Sequence, residues 1–170
     1  MQPEIQPAVV VITDANVLIN FFHIGQISLL GRIARYQFVV PSDVIAEVDE
    51  PAQAAALAAA LAEEYLTELV IADPVALGLF AELRSLMGRG EAACLAAAAT
   101  SDHSIASDEK RRFKRKTIEL IGEERLLRTE DLILCAIRDG LVSVAEADAF
   151  KATLAANRYA MAFASFGDIL

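Results

Sequence analysis

Short unbroken apolar runs alternate with segments of helical period along this chain. Ala8 to Thr13 (Ala-Val-Val-Val-Ile-Thr) is β-branched and has no alternating polar position, the pattern of a strand buried on both faces. It stops at Asp14-Ala-Asn16, and Val17 to Tyr36 then takes helical spacing, with Leu18, Phe21, Phe22, Leu29, Leu30 and Ile33 on a core face and breaks at Gly25 and Gly31. Gln37 to Val40 predicts a second strand closed by Pro41, and Ser42 predicts the cap of a helix carrying Val44, Ile45 and Val48. Pro51 interrupts that helix, and Ala52 to Leu66 continues as an alanine-rich one. Leu69 to Ala72 reads as a third strand, followed by a helix that starts at Asp73-Pro74 and runs to about Met87.

Gly88-Arg-Gly90 then breaks the chain, and a further helix opens at Glu91 and runs to Ala99. Ser104 to Ser107 predicts a fourth strand, ending at Asp108. The basic segment Lys110 to Lys116 leads into Thr117 to Ile121, read as a fifth strand. Two helices close the chain, one after Thr129 and one after Ser143, where Ser143-x-x-Glu146 has the capping-box pattern. Strands alternating with helices predict an α/β fold, a mainly parallel sheet of four to five strands covered by helices on both sides. No repeat or linker divides the chain, so residues 1–170 read as one domain, with a core at about 8–142 and C-terminal helices at 143–166.

Composition narrows the class. Hydrophobic residues make up 55% of the 170 and charged residues 23%, enough apolar material for a sizeable core and against disorder. The net charge of −9 means that the overall field repels nucleic acid and anionic membrane, so any such binding has to be local. No apolar run approaches the roughly 18 residues that span a bilayer, and Met1 to Pro7 lacks the basic start of a signal peptide. The expectation is a cytoplasmic chain with no membrane partner. Cys94 and Cys135 each lie in an apolar helical stretch, the setting of buried reduced thiols rather than a disulfide.

The candidate chemistry lies in acids at strand ends and helix starts. Asp14 follows the first strand and Asp108 the fourth, Glu47 lies in the helix after the second, and Glu91 stands behind the glycine break. Open parallel sheets bind ligands beyond the carboxyl ends of their strands. Carboxylates gathered there repel one another and need a counter-charge, for which Mg²⁺ or Mn²⁺ is the usual choice. Asp43, one turn before Glu47, fits a capping or surface role better, and His23 and His103 have no metal-ligand spacing.

Val11-Ile-Thr-Asp14-Ala-Asn16, Pro41-Ser-Asp-Val-Ile-Ala-Glu47, Gly90-Glu91-Ala-Ala and Ile105-Ala-Ser-Asp108-Glu109 resemble, in order, spacing and context, the successive acidic motifs of PIN-domain nucleases. The likeness runs from about residue 8 to residue 166, and Thr129 to Val142 resembles the tail of a prokaryotic subgroup near the VapC-type toxins. The resemblance implies a three-layer α/β/α sandwich and a metal-dependent endoribonuclease, in some members the toxin of a toxin–antitoxin pair. Asp14, Glu47, Glu91 and Asp108 match the family's acids, which hold one or two Mg²⁺ or Mn²⁺ ions; Asn16, Ser107 and Glu109 stand beside them, and either Asp108 or Glu109 could face the metal. RNA as substrate, an antitoxin protein as partner and a homodimer are further implications.

The basic run supplies Lys110, Arg111, Arg112, Lys114, Arg115 and Lys116 next to the fourth acid, where a phosphate backbone would pass; Phe113 among them reads as a core residue. Two other classes compete. One is a different metal-dependent phosphoesterase, a DNA nuclease or phosphatase, although Asp14-Ala-Asn16 lacks the second acid of a haloacid-dehalogenase-type phosphatase. The other is a non-catalytic nucleic-acid or protein binding module that kept the fold.

Overall fold

A computed structural model describes residues 8–170; Met1 to Pro7, whose composition argued against a signal peptide, lie outside the described residues. The strands are β1 (Val9–Thr13), β2 (Tyr36–Pro41), β3 (Thr67–Leu69), β4 (Ser104–Ala106) and β5 (Leu126–Leu127). They form one sheet of order β3-β2-β1-β4-β5, every pair parallel. The helices are α1 (Ala15–His23), α2 (Ile27–Leu30), α3 (Ser42–Glu47), α4 (Pro51–Ala62), α5 (Pro74–Leu83), α6 (Arg89–Ala99), α7 (Arg112–Ile121), α8 (Thr129–Arg138) and α9 (Val144–Ala156).

The chain winds from β1 outward to β3, then crosses back beneath the sheet to β4 and β5. Right-handed crossovers therefore set α1 to α4 on one face and α5 to α7 on the other. The result is the three-layer α/β/α sandwich that the sequence predicts. Inner β1 is sealed in its second half, with Val11 and Ile12 fully buried, and the Ala92–Ala98 stretch of α6 is buried along its whole length. Its alanines let the helix lie close to the sheet and to α3, α5 and α7 at once. No helix among the described residues is long and apolar enough to cross a membrane.

Four expectations shift. Thr117 to Ile121 is not a strand but the end of α7: Phe113, Thr117 and Ile121 recur every fourth residue and are buried, while the intervening charges face outward. The strand expected there is β5, after the left-handed Gly122 (φ +88) has ended the helix. β3 lies two residues earlier than expected, because pairing with β2 selects Thr67–Leu69 and leaves Val70 68% exposed beyond the sheet. Ser42 does not cap α3; it is the helix's first residue, and its hydroxyl donates to Glu68 Oε1 at 2.7 Å. The last expected helix ends at Ala156, and the remaining tail folds back, burying Phe166 against the chain's own core through bonds from Ser165 and Phe166 to Asp148. The Ser143–Glu146 capping box and the Asp73-Pro74 helix start form as predicted.

Candidate active site

Strand order reverses between β1 and β4, the switch point at which an open parallel sheet leaves a crevice beyond its carboxyl ends. Asp14 stands at the end of β1 in that crevice, with only 4% of its surface exposed. It serves as the N-cap of α1: Oδ1 accepts from Ala15 N at 2.8 Å, while the Ser107 hydroxyl donates to Oδ2 at 3.0 Å from the end of β4. Two donors do not offset its burial. Desolvation, reinforced by Glu91 and Glu109, pushes its carboxyl up to about 7.

Glu91 lies in the first turn of α6 and is half-buried; burial, then Glu109 and Glu47, raise its carboxyl above the ordinary glutamate range. Glu47 is exposed at the end of α3 and accepts from Gly90 N at 2.8 Å, so it caps α6 from outside. The glycine break is what permits this close approach. Gly88 is the N-cap, Gly90 is inside the helix, and a Cβ at Gly90 would stand 2.9 Å from Glu47 Cδ. Asp43 pairs with Arg89 instead of joining the acids.

Asp108 and Glu109 separate at the end of β4. Asp108 is buried, and its carboxylate is taken up by protein donors: Asn20 Nδ2 at 2.9 Å, Thr129 N at 2.9 Å, the Thr129 hydroxyl, and Tyr159 OH at 2.8 Å. It ties α1, the start of α8 and the C-terminal segment together, which leaves it little capacity for an ion. Glu109 is the acid whose charge reaches Asp14 and Glu91, and Asn16 holds it, Nδ2 donating to Oε1 at 3.0 Å. Asn16 also accepts from Asp108 N at 3.1 Å, fixing the turn that sends the two acids apart.

Asp14, Glu47, Glu91 and Glu109 therefore share one electrostatic neighbourhood. Among the described residues, though, no three His, Cys, Asp or Glu side chains stand close enough to grip one ion as they are arranged. Their donors are all carboxylate oxygens, the kind that suits Mg²⁺ or Mn²⁺. The buried, poorly compensated Asp14 supplies the demand for a cation.

The basic run divides as well. Phe113 is buried in the core, Arg112 donates to Leu86 O at 2.9 Å and Lys116 pairs with Glu119 at 3.0 Å. Lys110, Arg111, Lys114 and Arg115 have no ion-pair partner among the described residues. Arg111 holds a left-handed φ of +58 at the N-cap of α7, where crowded cations also oppose the helix dipole. Such locally costly features gather at functional sites. Asn20, Thr129 and Tyr159, the partners of Asp108, escape a motif search. Only Asn20 leaves a trace, an amide among the apolar positions of α1.

Cys94 and Cys135 are free and buried, and burial raises both thiols. His23 is exposed, and His103 sits beside Asp102, away from the acids.

No curated protein matches the chain. A family model does, over residues 10–143, and its description is a PIN domain.

Proposed function

The chain belongs to the PIN-domain family, a nuclease fold, and on that premise we propose that it is a metal-dependent endoribonuclease whose ion is held by Asp14, Glu91, Glu109 and Glu47. The observation that carries this reading is Asp14: a nearly sealed carboxyl at the switch point, with two further acids raising its proton affinity. A protein does not ordinarily bury an acid among acids without a cation to offset it.

Asp14 is the fixed ligand, oriented from both sides by Ala15 N and Ser107. Asn16 steers Glu109, and Gly90 makes room for Glu47. When bound, Mg²⁺ or Mn²⁺ supplies polarisation of a water nucleophile and neutralises charge on the phosphate. Lys110, Arg111, Lys114 and Arg115 provide the local positive surface that draws a phosphate chain to an otherwise acidic protein. Asp108, the alternative ligand, acts in this reading as the post that holds α8 against the site.

The likeness of Thr129 to Val142 to the tail of VapC-type toxins supports a toxin role, with an antitoxin as partner; this stretch forms α8 and the turn after it. Incubation with a labelled RNA pool and with single-stranded DNA, in Mn²⁺ or in EDTA, tests the activity. Mn²⁺-dependent internal cleavage of RNA alone is expected. Cleavage of DNA alone would make it a DNA nuclease, and cleavage of neither, with RNA still bound, a binding module. Growth arrest on expression, relieved by a co-expressed neighbouring reading frame, tests the toxin role.

A further inference from the structure

A cavity of about 550 Å³ opens beside the acids, between Asn16 and Asn20 of α1, the Glu109–Arg111 turn and residues 157–159. Its last wall comes from the segment after α9, beyond residue 143 where the family match ends, so it is a feature of this chain and not one the match supplies.

Three cations line this cavity, Lys110, Arg111 and Arg158, and none has an ion-pair partner among the described residues. In a chain of net charge −9 with acids close by, unpaired cations gathered in one concavity need an explanation. The backbone adds to it. The described non-glycine residues with left-handed φ are Glu64, Arg111 and Arg158, so both arginines that face this cavity hold a backbone conformation that L side chains rarely adopt. Arg158 takes that φ where α9 ends, its own N bonding Ala155 O at 3.2 Å and Tyr159 N bonding Leu154 O at 2.8 Å, and the Tyr159 hydroxyl, set between Asp108 Oδ1 at 2.8 Å and Glu130 Oε2, anchors the turn beside the acids. Tyr159 is half-buried while Arg158 is exposed. An anchored residue thus presents a free guanidinium to the cavity.

We propose that Arg158, on the turn that Tyr159 anchors, binds a backbone phosphate of a single-stranded nucleic acid chain next to the acid cluster. The proposal rests on the nuclease reading and extends it: the strand passes from the Lys114–Arg115 side, across Glu109, to a C-terminal wall. An arginine is the suitable residue, since its planar fork meets phosphate oxygens in pairs.

The test is the binding of a fluorescein-labelled 12-nucleotide oligouridylate in EDTA, where no cleavage occurs, followed by anisotropy over a series of salt concentrations. Wild type is compared with Arg158→Gln, Arg158→Lys and, as a distant control, Arg32→Gln. Arg158→Gln should weaken binding and lower the salt slope by about 0.7, one phosphate contact on a single strand, while Arg158→Lys keeps the slope and Arg32→Gln behaves as wild type. An Arg158→Gln slope equal to wild type, with wild type binding normally, overturns the proposal and leaves the nuclease reading standing. So does a variant whose only change is a larger Mn²⁺-induced rise in melting temperature, the mark of an arginine that merely balances the acids. Failure of wild type to bind the oligouridylate even at low salt would overturn this proposal too, while the nuclease reading stands or falls on the cleavage assay with Mn²⁺.

Discussion

The hydroxyl of Ser107 donates to Asp14 Oδ2 at 3.0 Å, joining the end of β4 to the end of β1 across the sheet's switch point. Residue 107 is fully buried and Asp14 only 4% exposed, so the bond meets little competition from water. Above about pH 8, where Asp14 is ionised, Ser107→Ala should cost roughly 1.5–3 kcal/mol, the usual loss for a buried bond to a charged group, and Ser107→Thr should restore most of it. Denaturant unfolding of the three proteins checks this.

The same carboxyl makes the metal-free protein pH-sensitive. Its proton affinity is raised on folding, to about 7, so the folded state holds a proton that the unfolded chain, near its ordinary value of 3.8, has already released. The stabilising share is complete below the unfolded value and is lost as pH rises toward 7. Glu91 shifts in the same direction and adds to the slope. In EDTA, stability should fall between about pH 4 and pH 7 by a few kcal/mol, and Asp14→Asn should flatten most of that fall. Equal slopes in urea titrations of the two proteins would mean that Asp14 is ordinarily solvated.

Mn²⁺ should reverse the penalty. At a hundredfold excess over its Kd it should stabilise wild type by about 2.7 kcal/mol, and it should barely move Asp14→Asn, whose melting temperature in EDTA should be at or above wild type. Four melting curves decide this, and equal Mn²⁺ shifts would remove Asp14 from the ligand set.

Asp108 and Glu109 should part company on mutation. Asp108→Asn loses an acceptor shared by Asn20, Thr129 and Tyr159, so it should lower stability by roughly 1.5–3 kcal/mol. Glu109→Gln should melt as wild type in EDTA yet lose RNA cleavage by orders of magnitude and lose the Mn²⁺ shift. The reverse pattern would return the ligand role to Asp108.

Gly90→Ala should separate folding from activity. Alanine favours a helix interior over glycine by about 1 kcal/mol, but its methyl group would displace the Glu47 carboxylate. Cleavage should drop about tenfold or more with little loss of stability. Unchanged cleavage would place Glu47 outside the reaction.

Much of this was legible in the residues because burial writes itself into composition. β1 has no polar alternation since both its faces are covered from Val11 to Thr13, and Asp73-Pro74 and Ser143-x-x-Glu146 mark helix starts through their own local bonds. The fifth strand was not legible. It has two residues, and its identity comes from pairing with Ile105 and Ala106, while Thr-Ile-Glu-Leu-Ile satisfies a strand pattern locally and a helix pattern only once Phe113 is counted with it. At the site, the residue type and position of the acids could be read, but their direction could not. Whether Asp108 or Glu109 turns toward Asp14 depends on Thr129 and Tyr159, 21 and 51 residues further on, and no local rule contains them.

Sheet order has a consequence for the timing of synthesis. Asp14 leaves the ribosome well before Ser107, the neighbour 93 positions later that orients it across the sheet, and Asp108 waits a further 51 positions for Tyr159. The carboxyl cluster therefore cannot assemble on a nascent chain that has not yet released β4. On the nuclease reading proposed above, the acids come together only once β4 has been made, and the last tie that sets Asp108 apart from Glu109 forms only after Tyr159.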